Sequence, residues 1–143
     1  MKRLLIVSCS RKKRKTEVLL PAIERYDGGW IRLIRKHILS DKDILKNLDV
    51  YILSGRYGLI PIDYPVPYYN EPRPHKRIIE KADEVKEEIK FLFERNKYDE
   101  VYLFMGRLFK EVTVKGIPEG VKVVFCNGGY GDKMHDFIRW LRE

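Results

Sequence analysis

The first segment with residue types suited to chemistry is the run Ser8, Cys9 and Ser10, which five consecutive cations follow at residues 11–15. A cysteine can act as a nucleophile, and serine hydroxyls can hydrogen-bond a ligand. Lysine and arginine side chains bind phosphate groups. The run lacks the Gly-x-x-x-x-Gly-Lys pattern of a Walker loop. We therefore expect a phosphate-containing ligand here, and the alternative is a solvated charge run.

Residues 54–61 form the most distinctive segment of the chain. Gly55 and Gly58 allow the backbone to approach a ligand closely. Arg56 offers a planar fork to a phosphate or a base edge. Tyr57 can stack on a base or donate a hydrogen bond. The alternative is a tight turn with a surface arginine. Together with the first segment, this one supplies the candidate catalytic residues Cys9, Ser54 and Tyr57.

Further segments offer aromatic rings and glycine-rich turns. Tyr26 could stack on a flat ligand, although the glycines that follow it also suit a helix end and restart. Prolines present Tyr68 in a loop that could equally be packed against the sheet edge. The turn at residues 127–131 suits an anion at a helix N-terminus, although it lacks the Gly-x-Gly-x-x-Gly fingerprint. The candidate ligand-binding residues are Ser8, Ser10, Lys12, Lys13, Tyr26, Gly28, Gly55, Arg56, Gly58, Tyr68, Gly106 and Gly131.

Several kinds of site are not indicated. The two cysteines form no disulfide framework and no Cys-x-x-Cys pair, and the three histidines are dispersed. We therefore expect no metal and no cofactor. The serine-hydrolase pattern Gly-x-Ser-x-Gly is also missing. No apolar run approaches the roughly 20 residues that span a bilayer, so we expect no membrane partner and a cytoplasmic location.

The charge points to a polyanionic partner. The 143 residues include 29 Lys and Arg against 21 Asp and Glu, a net charge of +8. Such an excess suits a nucleotide or nucleic acid, with RNA favoured over DNA. The chain has no Gln and is rich in Lys, Glu and Arg, a bias common in proteins from hot environments. Part of the charge therefore has an alternative explanation in stability.

The elements that must position these residues alternate along the chain. Apolar runs predict strands at 3–8, 49–54, 100–105 and 121–126. Helices are predicted at 17–26, 30–39 and 75–96, with a short one after Gly106 and a last one after residue 131. This order predicts one α/β domain over residues 1–143, three-layered, with a mostly parallel sheet of about four strands. The candidate segments at 8–13, 54–58, 106–107 and 127–131 each follow a strand, so a parallel sheet would bring these four to one rim.

These segments together resemble stand-alone archaeal, bacterial and phage α/β domains of unknown function. The shared signature is Ser-Cys-Ser at residues 8–10, Tyr-x-Gly at 26–28, Ile-Leu-Ser-x-x-Tyr-Gly-Leu at 52–59 and Pro-Tyr at 67–68. The block at 52–59 also resembles the peroxide-stress YaaA family. The start is similar to the Pro-Cys-x-x-x-Lys region of archaeosine synthase, a tRNA base-modifying enzyme, with Ser8 in place of the proline. The resemblance implies a role related to a base, a nucleoside or a nucleic acid.

Two classes of function follow from these observations. The first is an enzyme that processes a nucleobase, nucleotide or RNA, by transfer to the base or at its glycosidic bond. If Cys9 is its nucleophile, the neighbouring cations should lower the pKa of the thiol. The alternative is a non-catalytic nucleic-acid-binding module, which needs only the basic surface and the aromatic rings. A small-nucleotide sensor is a third possibility.

Overall fold

The computed structural model describes residues 1–125 and 130–143, with Tyr130 described as backbone only. The strands are β1 (Arg3–Ser8), β2 (Leu20–Pro21), β3 (Leu48–Ser54), β4 (Gly58–Pro61), β5 (Pro65–Val66), β6 (Glu100–Phe104) and β7 (Lys122–Phe125). The helices are α1 (Ala22–Arg25), α2 (Gly29–Ser40), α3 (Pro74–Glu80), α4 (Ala82–Arg95), α5 (Arg107–Val114) and α6 (Tyr130–Arg142). A 3-10 helix at Lys42–Lys46 precedes β3.

Within these residues, the central sheet has five strands in the order β4-β3-β1-β6-β7. Strands β3, β1, β6 and β7 are parallel, and β4 lies antiparallel on the edge beside β3. The expected α/β fold with a mostly parallel sheet is therefore confirmed. The edge strand β4 was not predicted. It lies within residues 54–61, the segment predicted as a ligand-binding segment or a tight turn, and it pairs with β3 through a short turn at residues 55–57.

Helices cover both faces of the sheet, as the three-layer prediction requires. Successive side chains of a strand point to opposite faces. Accordingly, Leu5 and Val7 of β1 pack into a core with residues of α1, α2 and α6. Leu4 and Ile6 pack into a second core with residues of α3, α4 and α5. All four side chains are fully buried, which explains why β1 is an uninterrupted apolar run.

Two helix predictions need correction. The helix predicted at 17–26 exists only as α1, because Pro21 has no N–H group and its ring excludes it from a helix interior. Leu20 and Pro21 instead pair with Val66 and Pro65 in a small antiparallel sheet. The helix predicted at 75–96 is divided at Lys81, whose ψ of 8° ends α3. Asp83 and Glu84 then favour a new helix N-terminus electrostatically.

The connections between strands create a crevice at the carboxyl ends of the strands. The chain passes from β1 to β3 over the face that carries α1 and α2, and from β6 to β7 over the opposite face, which carries α5. The segments that follow β1 and β6 therefore leave adjacent strands toward opposite faces. Ligands of open α/β sheets bind at such a point, beyond the carboxyl ends of the strands.

Candidate functional site

The carboxyl ends of β1 and β3 lie side by side. The backbone N–H of Cys9 donates a hydrogen bond of 2.9 Å to the carbonyl of Leu53. This bond continues the pairing of the two strands by one residue and places Ser10 next to the turn that follows Ser54. The candidate segments at residues 8–15 and 54–61 therefore meet at one rim, as the parallel arrangement predicted.

A buried hydroxyl network lies beneath this rim. The Tyr26 hydroxyl is 2.5 Å from that of Tyr69 and donates to Ser54 Oγ at 3.0 Å. Ser54 Oγ also accepts the backbone N–H groups of Arg56 and Tyr57, each at 3.1 Å. Ser54 and Tyr26 are fully buried. Ser54 therefore fixes the turn that presents Arg56 and Tyr57, and its own hydroxyl faces the protein interior.

Both buried tyrosines of the network are held in their neutral form. Burial raises the pKa of Tyr26 far above its usual range, and the neighbouring Tyr69 raises it further. Burial also raises the pKa of Tyr69, although the hydrogen bond to Ser54 partly opposes this. Neutral hydroxyls act as hydrogen-bond donors and acceptors at neutral pH, so the network supports the turn above it without adding negative charge.

Two cations lie over the network. The Lys13 amine is 4.4 Å from the ring centre of Tyr69, and the Arg56 guanidinium is 5.0 Å from the same ring. Lys13 is only 9% exposed, and its amine donates to the Arg11 carbonyl at 3.1 Å. Burial lowers the pKa of this amine, while Cys9 and Glu71 oppose the shift. Attraction to the electron-rich face of a tyrosine partly offsets the cost of placing these charges here.

Cys9 packs against the cores on both faces of the sheet. Burial raises the pKa of its thiol, and this effect outweighs the lowering by the Gly55 backbone amide and the Lys13 charge. The direction is opposite to the one that the adjacent cations led us to expect from the sequence. Desolvation is the stronger effect, because the cations of the basic run other than Lys13 point into solvent. The resting side chain is a neutral thiol.

A groove with a volume of about 280 Å³ opens beside Cys9, between the end of β1 and the start of α2. The Gly28 N–H donates to Ser10 Oγ at 3.1 Å, and Ser10 Oγ donates to the Lys12 carbonyl at 2.7 Å. A Cβ atom at position 28 would lie 2.6 Å from the Cβ of Ser10, so this approach requires glycine. The groove is lined by Ser8, Cys9, Ser10, Gly28, Gly29, Trp30 and Ile31.

The basic run is anchored to the rest of the protein. The fully buried Arg25 donates to the carbonyls of Arg14, Val18 and Val66. The N–H of Asp27 also donates to the Lys12 carbonyl at 2.9 Å. These bonds fix the backbone of the run and leave the side chains of residues 11 and 12 exposed.

The Asp27 carboxylate lies near three arginines behind the groove. Asp27 lies 2.9 Å from Arg35, 3.8 Å from Arg32 and 4.0 Å from Arg14. Burial alone would raise the pKa of the Asp27 carboxyl. The hydrogen bond from Arg35 and the three positive charges overcome that effect and hold the pKa below its usual range. Asp27 therefore offsets part of the positive charge behind the groove, most directly that of Arg35.

The model of a protein family matches residues 4–136, which include every residue of the rim described above. The chain belongs to the DUF6884 family. This is a family of unknown function. Neither the curated proteins nor the solved structures include a match to the chain.

The DUF6884 structure groups only part of the predicted site. Residues around the groove and the hydroxyl network meet at the rim, namely Ser8, Cys9, Ser10, Lys13, Tyr26, Gly28, Ser54, Arg56 and Tyr57. Tyr26 lies inside the network with no exposed surface, so it cannot stack on a ligand at the surface. Lys12 and Tyr68 point outward, Tyr68 with 41% of its surface exposed.

The four remaining glycines have other surroundings. Gly55 packs so closely against Pro74 and Arg77 that a Cβ atom would lie 2.9 Å from the Pro74 carbonyl oxygen. Gly58 has a φ of +76° and faces the Glu88 carboxylate. Both glycines therefore serve the packing of the turn. Gly106 precedes α5 and Gly131 lies in the first turn of α6. The rest of the predicted turn, at residues 127–129, lies outside the described residues.

Sequence reasoning missed two residues of this DUF6884 site. Tyr69, rather than the adjacent Tyr68, reaches the hydroxyl network. Glu71, largely buried, pairs with Arg77 at 3.1 Å and acts electrostatically on both Cys9 and Lys13. The Pro-Tyr-Tyr sequence indicated an ordered aromatic loop without indicating which ring faces inward. Nothing in the sequence around Glu71 marks it as part of the site.

The described residues lack two further features. They contain no group of three or more His, Cys, Asp or Glu side chains placed to hold a metal ion. Across the same residues, no helix combines the length and the apolar character needed to cross a membrane.

Proposed function

We propose that this DUF6884 protein is a nucleobase-, nucleotide- or RNA-processing enzyme whose ligand binds at the carboxyl-end rim of the sheet. The observation that carries the proposal is the charge of this rim. Among the described residues, no carboxylate lies within ion-pair distance of Arg11, Lys12, Lys13 or Arg56. Asp27 pairs with arginines behind the groove, so its carboxylate does not offset the charge of these four cations. Such a cluster fits the phosphate groups of a nucleotide or nucleic acid.

The rim also offers surfaces for a planar base. Tyr57 is half-buried beside Arg56, whose guanidinium is 5.8 Å from the Tyr57 ring centre. Trp30 and Cys9 line the groove on the other side of Ser10. A base stacked on an aromatic ring and a phosphate held by an arginine are a common pairing in nucleotide recognition. The rim places both kinds of group within one ligand's reach.

If the protein catalyses a reaction, Cys9 is the residue best placed to take part in it. Its thiol borders the groove, whereas the Ser54 hydroxyl is fully buried and already accepts two backbone N–H groups. Ser54 therefore positions the Arg56–Tyr57 turn in this proposal. A ligand that brings a proton acceptor to Cys9 would convert the neutral thiol to the thiolate, which is the reactive form.

A non-catalytic nucleic-acid-binding module is the second candidate. The observation that favours it is the raised pKa of Cys9, because a thiol that stays protonated is a poor nucleophile. In that case the cations and the aromatic rings would bind the nucleic acid, and no bond would change.

The test is a binding titration with transfer RNA, single-stranded DNA, duplex DNA and a nucleoside monophosphate at 50 and 200 mM salt. Arg56→Ala should weaken binding about 10-fold or more, because a hydrogen bond to a charged group is lost. It should also reduce the slope of log K against log salt by about one. Lys97→Ala is the matched control. Lys97 is an exposed cation just before β6, at the amino ends of the parallel strands and away from the rim. No binding, or equal losses in both variants, would contradict the proposal.

Nucleoside mass analysis of the bound RNA then separates the two candidates. An altered base after incubation, absent with Cys9→Ser, would support the enzyme. Binding that Arg56→Ala weakens, with every nucleoside unchanged, would support the binding module.

A further inference from the structure

A row of four tyrosines leads from the surface to the hydroxyl network. The ring centres are 6.0 Å apart for Tyr64 and Tyr57, 5.5 Å for Tyr57 and Tyr69, and 6.3 Å for Tyr69 and Tyr26. Exposure falls along the row, from 40% at Tyr64 through the half-buried Tyr57 to 8% at Tyr69 and none at Tyr26. The outer two rings therefore offer surface to a ligand, and the inner two support them.

The cations of the rim follow the same row. Arg56 lies 5.8 Å from the Tyr57 ring centre and 5.0 Å from that of Tyr69. Lys13 lies 4.4 Å from Tyr69 and 5.8 Å from Tyr26. Neither cation has a carboxylate partner in the part of the chain that the structure describes. At the exposed end of the row, the rings of Tyr64 and Tyr57 are therefore followed by the positive charge of Arg56. Aromatic rings beside positive charge are typical of surfaces that bind single strands without reading their sequence.

The outer end of the row is held in place before any ligand binds. The N–H of Tyr64 donates to the Pro61 carbonyl at 3.1 Å, and the Tyr64 carbonyl accepts the N–H of Ala22 at 2.8 Å. Pro65 then pairs with Pro21 in the small sheet. Binding here would therefore require little additional ordering of the backbone, which favours affinity.

We propose that the ligand of the rim is single-stranded nucleic acid, with adjacent bases stacked on Tyr64 and Tyr57 and the phosphate on the inner side of the Tyr57 base held by Arg56. This inference rests on the proposed function and names its substrate class. The two rings are 6.0 Å apart and inclined at 48°, whereas stacked bases of a duplex are parallel and roughly 3.4 Å apart. Bases that lie on both rings must therefore be unstacked from one another, which a duplex does not allow. A mononucleotide would use only one ring.

The experiment measures fluorescence anisotropy with a labelled eight-nucleotide RNA, the DNA of the same sequence, the RNA annealed to its complement, and a labelled nucleoside monophosphate. We expect the single strands to bind at least 10-fold more tightly than the duplex or the monophosphate. Tyr64→Ala should weaken single-strand binding by about 5- to 150-fold, the loss typical of one stacked base. Tyr64→Phe should restore it, because the ring remains. The loss should persist at 200 mM salt, since stacking depends little on ionic strength.

Phe91→Ala is the matched control. Phe91 is 57% exposed on α4, and the Arg95 guanidinium lies 5.3 Å from its ring centre, so the pair reproduces an exposed ring beside an arginine away from the rim. Its removal should leave binding unchanged. Circular dichroism verifies that each variant is folded.

The outcomes separate this inference from the proposed function. Equal affinity for single strand and duplex, or a Tyr64→Ala variant that binds like the wild type, would overturn the inference. If Arg56→Ala still weakened binding in that case, the proposed function would stand with a different ligand form. If no nucleotide or nucleic acid bound at all, the proposed function itself would fail.

Discussion

Replacing Ser54 with alanine tests whether the hydroxyl network supports the site. The change removes one buried oxygen atom and almost no volume. It leaves the N–H groups of Arg56 and Tyr57 without their acceptor, since each donates to Ser54 Oγ at 3.1 Å. The hydroxyls of Tyr26 and Tyr69 lose a partner but keep their mutual bond of 2.5 Å.

The expected cost follows from the two backbone groups. A buried donor left without a partner costs about 1–3 kcal/mol. The Arg56 side chain is exposed, so water can reach this part of the turn and reduce one of the two penalties. We therefore expect Ser54→Ala to lower the free energy of unfolding by about 2–4 kcal/mol. The loosened turn should also weaken nucleotide or RNA binding, because it carries Arg56 and Tyr57.

The matched control is Thr113→Val on the opposite face of the sheet. Thr113 is as fully buried as Ser54, but its hydroxyl donates to the Phe109 carbonyl at 2.8 Å and accepts no backbone N–H group that the structure shows. That carbonyl lies inside α5, where the helix itself supplies a donor. We expect Thr113→Val to cost less than about 1 kcal/mol, because no backbone donor is stranded.

Urea unfolding, followed by the fluorescence of Trp30 and Trp140, measures both variants. The comparison requires similar m-values, so that the midpoints report stability alone. If Ser54→Ala cost no more than Thr113→Val, the hydroxyl would not be holding the turn. The assignment of Ser54 as a positioning residue would then be refuted.

Two further predictions concern ionisation. The pKa of Asp27 is lower in the folded protein than its unfolded value of about 3.9. Its ion pairs therefore stabilise the fold fully above the unfolded pKa. This stability is lost as the pH falls toward the folded pKa. Asp27→Asn should therefore flatten the fall in unfolding free energy between pH 5 and pH 2, as measured by urea unfolding; an unchanged slope would contradict the assignment. Because burial raises the pKa of Cys9, alkylation of Cys9 in a Cys126→Ser background should be slower at pH 7.5 than that of free cysteine. Lys13→Met should slow it further by removing the charge that favours the thiolate, and faster alkylation than free cysteine would show that the thiol is not desolvated.

The sheet was predictable because its central strands have few alternatives. Strands covered by helices on both faces need apolar side chains along their buried length, and residues 4–7 and 101–104 show that pattern directly. The sequence pattern of edge strand β4 indicates a strand less clearly. Gly58 and Pro61 flank only Leu59 and Ile60, and its pairing depends on the turn that Ser54 stabilises. A tertiary contact of this kind is not visible in local periodicity.

The helix predicted at residues 17–26 was wrong over its first part for a related reason. Residues 17–20 have a helix-compatible composition, but Leu20 and Pro21 pair with β5, and the guanidinium of the buried Arg25 donates to the Val18 carbonyl. That carbonyl would be an acceptor within a helix. This side-chain hydrogen bond therefore acts together with the exclusion of Pro21 from a helix interior.

The candidate site was likewise predictable only in part. Residue types predicted which segments meet at the rim, because the carboxyl ends of parallel strands share one edge. They did not predict which neighbour in each segment faces inward. Lys13 is buried and Lys12 exposed; Tyr69 is buried and Tyr68 exposed. In both pairs the inward side chain belongs to the residue that contacts Tyr26, Lys13 through a backbone bridge and Tyr69 through its hydroxyl. The type of a residue indicates which chemistry its side chain can perform. The direction of the side chain depends on contacts with residues distant in the sequence. Ligand binding depends on both the type and the direction.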